Sequence, residues 1–284
     1  MTQARSPLRQ KSLRLPGQSL DDAFNTLWDD RGLFLFLYPV VLLMLLGVEW
    51  LRWLRPAPAA PWFTTIAIVL VTTFCWWRLY WLRKQLDALR QGRDGERAVA
   101  EILDNVRERG WRVFHDVVGD GFNIDHVVLS PHGIYAIETK TISKPRRGEG
   151  QPTIRVRSER ITAGGADLGS APVDQAKACA DWLFRLLKVS TGKTYPVKPC
   201  VVFPGWFVEP MGKDAARGTW VLNPKALPIF IGNEPSRIQE ADIHLAAFHL
   251  SSYIRSPWGA DSTGLAKAIL KRGDRHAHPA PATR

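Results

Sequence analysis

The sequence predicts an α/β (α+β) chain in which two transmembrane helices precede a soluble domain of order α-β-β-β-α-β, built around a central mixed sheet. Two uncharged apolar runs near the N-terminus predict the membrane part. Three successive β-rich segments between two helical patterns, followed by the buried run Val197 to Phe203, predict the rest. With 284 residues there is room for an anchor and one soluble core of ordinary size, and two large soluble domains are excluded.

The first apolar run lies between Arg31 and Glu49 and the second between Arg55 and Arg78. Each can cross about 30 Å of hydrocarbon, which takes about 20 residues with help from flanking Trp and Leu. Pro39 can kink the first helix, since lipid tolerates this where neighbouring groups satisfy the freed carbonyl. Trp50, Trp53, Trp62, Trp76, Trp77 and Trp81 fall where an interfacial belt belongs. A cleaved leader does not fit, because the first run begins some thirty residues in and no small-residue cleavage pattern follows it.

Cations set the orientation. Arg5, Arg9, Lys11 and Arg14 precede the first run, Arg78, Arg83, Lys84, Arg90 and Arg93 follow the second, and Arg52 and Arg55 lie between the runs. By the positive-inside rule both termini and the soluble domain are cytoplasmic, on a multi-pass protein of the cell (inner) membrane. The resulting division is 1–30 cytoplasmic segment, 31–82 transmembrane hairpin, 83–255 soluble domain with its C-terminal extension, and 256–284 disordered tail.

In the soluble part, Val99, Ile102, Leu103 and Val106 fall at helical spacing, with Asp94 as a plausible N-cap and the end near Gly110. Trp111 to Val118, Phe122 to Leu129 and Ile134 to Thr141 read as strands rich in β-branched and aromatic residues. A second helix spans Pro172 to Lys188 and a buried strand Val197 to Phe203. A further strand near Thr219 to Leu222 and an amphipathic helix from Asp242 to Ile254 follow.

The turn Ser130-Pro131-His132-Gly133 joins the second and third strands. If Ser130 pairs with Gly133, Asp125 lies opposite Glu138 on one face, with Lys140 two residues beyond on the same face. Two carboxylates and an ammonium then converge, as a hard divalent cation and an attacking water require. A bulged turn would slip the register by one and set His126 opposite Glu138 instead. An exposed salt-bridge ladder is the other reading of the same spacing.

Gly95-Glu96, His115-Asp116-Val, Asn123-Ile-Asp-His126, Ser130-Pro-His-Gly-Ile-Tyr-Ala-Ile-Glu-Thr-Lys140, Asp174-Gln175-Ala176 and Val201-Val-Phe-Pro204 together resemble the nuclease-related domain (NERD) family, over roughly Gly92 to Phe207. That family is similar to the PD-(D/E)xK nucleases, so the resemblance implies a restriction-endonuclease-like core and Mg²⁺- or Mn²⁺-dependent phosphodiester hydrolysis. It implies Asp125 and Glu138 as metal ligands, Lys140 serving the water, Glu96 as the first-helix acid and Gln175 as the second-helix glutamine. The sequence departs from the family after Lys140, where the stretch from Lys144 to Arg160 is longer and more basic.

The net charge is +11, and after Leu82 there are 30 basic against 22 acidic residues, an excess of eight that favours a polyanion or an anionic lipid surface. Arg146, Arg147, Arg155, Arg157 and Arg160 can neutralise phosphates beside the site, or contact solvent or lipid. The expected partners are nucleic acid, DNA in preference to RNA, and the bilayer. A non-catalytic binding or scaffold module is the competing reading. The three cysteines have no disulfide or zinc spacing, and His244 and His249, five apart, do not make a helical metal pair.

Overall fold

The structure, a computed structural model, describes residues 13–54, 61–119, 121–144, 153–209 and 218–256, without the side chains of 30–37, 61, 63 and 64. Helices α1 (Gln18–Leu54) and α2 (Pro61–Asp104) run antiparallel. Their contacts pass in order from Asp21 with Arg93, through Phe24 with Arg90 and Leu27 with Leu82 and Leu86, to Tyr38 with Phe74. Towards the loop end both helices expose large apolar side chains, among them Leu43, Met44, Leu51, Trp53, Leu70 and Trp76, which water would not stabilise.

Two expectations change here. Among the described residues one stretch, Thr65–Arg109, is long and apolar enough to cross a membrane, where the sequence predicts two. Residues 30–37, in the first apolar run, are among those whose side chains are not described. Secondly, no new helix starts at Asp94: α2 continues unbroken from the apolar run into the soluble domain. Gly92 and Gly95 serve close packing instead of a break. A Cβ on Gly95 would lie 1.7 Å from Thr141 Oγ1, and one on Gly92 would lie 3.1 Å from Leu20 Cδ1. A 3-10 turn, Asn105–Arg109, then ends the helix at the left-handed Gly110.

The chain is a mixed α+β structure with two mixed sheets. The larger has the order β1-β2-β3-β7-β9, from β1 (Arg112–Val118), β2 (Asn123–Ser130), β3 (Gly133–Thr139), β7 (Val197–Val202) and β9 (Trp220–Leu222). Pairing is antiparallel from β1 to β3 and parallel from β3 to β9. Helices α3 (Ala171–Thr191) and α5 (Glu240–Arg255) bury Leu183, Leu187, Ala246 and Leu250 on one face. On the other, Val99 and Leu103 of α2 and Leu227 and Ile231 of α4 (Leu227–Gly232) cover Val128, Ile137 and Cys200. Burial of such side chains, each contributing about 1.5–3 kcal/mol, holds the three layers together.

The stretch beyond Lys144 is not only a basic loop. From Thr153 it folds into β4 (Thr153–Arg157), β5 (Arg160–Ala163) and β6 (Ala166–Gly169), which form the second sheet with β8 (Phe207–Val208). Ile154, Ile161 and Ala163 pack on Val173, Phe203 and Trp206. Arg146, Arg147, the 55–60 connection and the 257–284 tail lie outside the described residues.

Candidate active site

Register builds the site. Ser130 pairs with Gly133 and His126 with Ile137, so the two-residue turn carries no slip and Asp125 falls opposite Glu138. On its other side β2 pairs His126 with His115 and Ile124 with Val117, so Asp116 of β1 falls opposite Asp125. Three carboxylates therefore occupy one rung across three adjacent strands. Like charges placed so destabilise a sheet unless cations or donors bridge them.

The bridging groups come from several elements. Lys140 Nζ donates to Glu138 Oε1 at 2.6 Å and to Gln175 Oε1, from α3, at 3.0 Å. The Thr139 N–H donates to Asp125 Oδ2 at 2.7 Å, where the β2–β3 ladder ends. Asn123 Nδ2 lies 2.9 Å from Asp116 Oδ1 and 3.4 Å from Asp125 Oδ1. From α2 comes Glu96, 7% exposed, whose carboxyl lies near the Gly17 backbone N–H.

Burial pushes the Glu96 carboxyl well above its ordinary range, and the charges of Asp125, Asp116 and Glu138 push it the same way. Burial also raises Asp125, reinforced by Glu138 and opposed by the Thr139 N–H and Lys140. Such a cluster holds protons or a cation in preference to bare negative charge. Glu96 Oε2 and Glu138 Oε2 are buried without a hydrogen-bond partner, which suits a hard cation that takes one or two carboxylates and keeps its waters. Beside Lys140 and Gln175 opens a groove of about 1060 Å³, bounded also by Phe122, Trp182 and Arg185.

Residues 91–204 match the nuclease-related domain (NERD) family. The chain carries a nuclease-related domain. It runs from the C-terminal part of α2 through β7 and contains Glu96, Asp116, Asp125, Glu138, Lys140 and Gln175. No curated protein and no solved structure matches the chain.

Of the residues singled out from sequence, the structure brings Glu96, Asp125, Glu138, Lys140 and Gln175 of the nuclease-related domain together. The arginines of the second sheet are set apart and exposed: Arg155 pairs with Glu209 at 2.8 Å, Arg160 pairs with Asp167, and Arg157 points to solvent. Asp116 was visible as part of a motif but not as part of the site. The glycines at 119 and 121 signalled a turn from which its position opposite Asp125 follows.

Proposed function

We propose that the chain is a membrane-anchored, metal-dependent nuclease that hydrolyses phosphodiester bonds of nucleic acid, DNA in preference to RNA, at the cytosolic face of the membrane. The observation that carries this reading is the buried Asp125–Glu138 rung with Lys140 held between Glu138 and Gln175, inside a nuclease-related domain. With β4, β5 and β6 set aside as a separate sheet inserted between β3 and α3, the order α2-β1-β2-β3-α3-β7 supports a restriction-endonuclease-like core.

Asp125 and Glu138 would hold Mg²⁺ or Mn²⁺, which supplies a polarised phosphate and a water of lowered pKa. Lys140 would orient the attacking water and meet charge developing on the phosphate. Gln175 fixes the ammonium by accepting a hydrogen bond from it, and Glu96 completes the acidic wall. The groove beside Lys140 and Gln175 would receive nucleic acid next to the rung, and the basic face of Arg155, Arg157 and Arg160 would attract the backbone, a role the sequence also gives Arg146 and Arg147. The anchor is the two-helix hairpin of residues 31–82, the catalytic domain spans 83–255, and the 1–30 and 256–284 segments flank them. The antiparallel packing of α1 on α2 and their exposed apolar surfaces support the hairpin, and the cation asymmetry of the sequence supports both ends lying in the cytosol.

A non-catalytic nucleic-acid-binding or scaffold module is the second reading. It is favoured by one observation: among the described residues no three His, Cys, Asp or Glu side chains gather as a metal-holding group. The two readings separate when the full-length chain, in lipid nanodiscs, is incubated with plasmid and single-stranded DNA plus Mg²⁺, Mn²⁺ or chelator. Cleavage that chelator abolishes is the expected result. DNA binding with neither cleavage nor calorimetric metal binding overturns the enzyme reading.

A further inference from the structure

The segment leading into α1 reaches the acidic rung from outside the nuclease-related domain, about a hundred residues away in sequence. Arg14 Nε donates to Asp116 Oδ2 at 2.7 Å. Ser19 adds its N–H to the same oxygen at 2.9 Å and its hydroxyl to Asp116 Oδ1 at 2.5 Å. Arg14 is 8% exposed, Ser19 1% and Asp116 fully buried, so this is an interior contact and not a surface pair. Asp116 itself has φ +50°, a left-handed conformation that a non-glycine residue holds only where its surroundings demand it.

We propose that Asp116 and Arg14 are further members of the active centre: Asp116 is a positioning residue that acts on Asp125 through the shared Asn123 amide, and Arg14 is its built-in counter-ion. The inference rests on the metal-dependent reading above. Four buried carboxylates, Glu96, Asp116, Asp125 and Glu138, meet the two cations Lys140 and Arg14 there, and the half-buried Asp22 shares the Arg14 guanidinium at 3.2 Å, so Arg14 sets how much negative charge is left to attract a divalent ion. Because Arg14 lies four residues ahead of Gln18, the first residue of α1, the segment that leads into α1 and the acidic rung share one buried ion pair.

A strut and a counter-ion differ in sign. Removing either half of a buried ion pair destabilises the fold. Only a counter-ion role moves metal affinity in opposite directions for the two halves. The test is Mn²⁺ binding, followed by the paramagnetic signal of free Mn²⁺, to the full-length chain in nanodiscs, with thermal melts in parallel. Arg14→Gln leaves an extra negative charge and should tighten Mn²⁺ about tenfold. Asp116→Asn should weaken it by about the same factor, while both variants melt lower than wild type. The double variant restores the charge balance and should return close to wild-type affinity. Should Arg14→Gln fail to fold, the comparison of Asp116→Asn with the double variant reads the same effect, an expected tightening of about tenfold. If wild type binds Mn²⁺ and the two single variants move its affinity the same way or not at all, this inference is overturned and the proposed function stands. A wild-type chain that binds no Mn²⁺ defeats the proposed function first, and this inference with it.

Discussion

Two antiparallel hairpins flank Lys140 and carry charge in opposite ways. The β2–β3 hairpin buries Asp125 and Glu138 at 5% and 4% exposure, opposite one another and beside Asp116. The β4–β5 hairpin sets Arg155, Arg157 and Arg160 in solvent, with exposed acids as partners for two of them. Buried like charges cost stability, and a sheet keeps them where another requirement outweighs that cost. Exposed ion pairs contribute about 0–1 kcal/mol and exchange readily for phosphate. On the proposed function the first hairpin is where a cation would sit, and the second is a replaceable electrostatic surface.

The sharpest way to break that contrast is Glu138→Gln. The amide keeps the size and can still accept from Lys140, but it removes a charge that a hard cation requires. Metal binding by calorimetry and cleavage should be lost together while the melting temperature holds, because repulsion with Asp125 and Glu96 is relieved. A variant that still cleaves would end the metal-site reading. Lys140→Ala should separate the two losses. Metal binding largely survives, and turnover falls by about a hundredfold, the usual size of one group aimed at developing charge. Equal loss of metal binding in single-turnover and titration experiments would instead make Lys140 a strut for Glu138.

The legibility of these two hairpins from sequence also differed. The acid rung was readable because a two-residue turn and a period of two fix every facing pair once one pair is known. The same arithmetic applied to the β1–β2 turn would have found Asp116. The second sheet was not readable: its strands are two to five residues long, β4 and β5 carry exposed arginines, and β4 depends on a parallel pairing to β8 that lies beyond α3. The unbroken α2 was hidden for another reason. Asp94 reads as an N-cap, yet the helix runs through it, and a Cβ at Gly95 would collide with Thr141 while one at Gly92 would crowd Leu20. No local pattern in the sequence announces the Arg14–Asp116 contact, which spans 102 positions.

A smaller effect is expected on the exposed side of the contrast. Replacing Arg155, Arg157 and Arg160 together by Gln should leave the melting temperature nearly unchanged, because the pairs lost are solvent-exposed. Nucleic-acid binding, measured by fluorescence anisotropy across a salt series, should weaken severalfold. Its log–log salt slope should fall by about 0.9 for each arginine that touches a phosphate. An unchanged slope would show that these arginines face something other than nucleic acid.

The smallest effect sharpens the buried side, where one pair of titratable groups avoids charge altogether. His115 Nδ1 and His126 Nδ1 lie 2.9 Å apart, and His115 Nε2 lies 3.2 Å from Asp104 Oδ1. One proton fits between the two Nδ1 atoms, and a second would set two N–H groups against each other. Burial lowers the His115 pKa below its ordinary 6.5, with Arg107 acting the same way, while Asp104 and Asp116 oppose it. The sign of the stability effect follows. In the folded chain the ring stays neutral where the unfolded ring already takes up a proton, so the unfolded state binds more protons below about pH 6.5. This contribution is fully present above that value and declines as pH falls towards the lowered folded-state pKa. The raised carboxyls of Glu96 and Asp125 act in the opposite sense, since protonation relieves them as pH falls. Thermal melts of wild type and His115→Asn between pH 5 and 8 isolate the histidine part. The variant should lose stability less steeply below about pH 6.5, and parallel curves would show that His115 takes up its proton in the folded chain as readily as in the unfolded one.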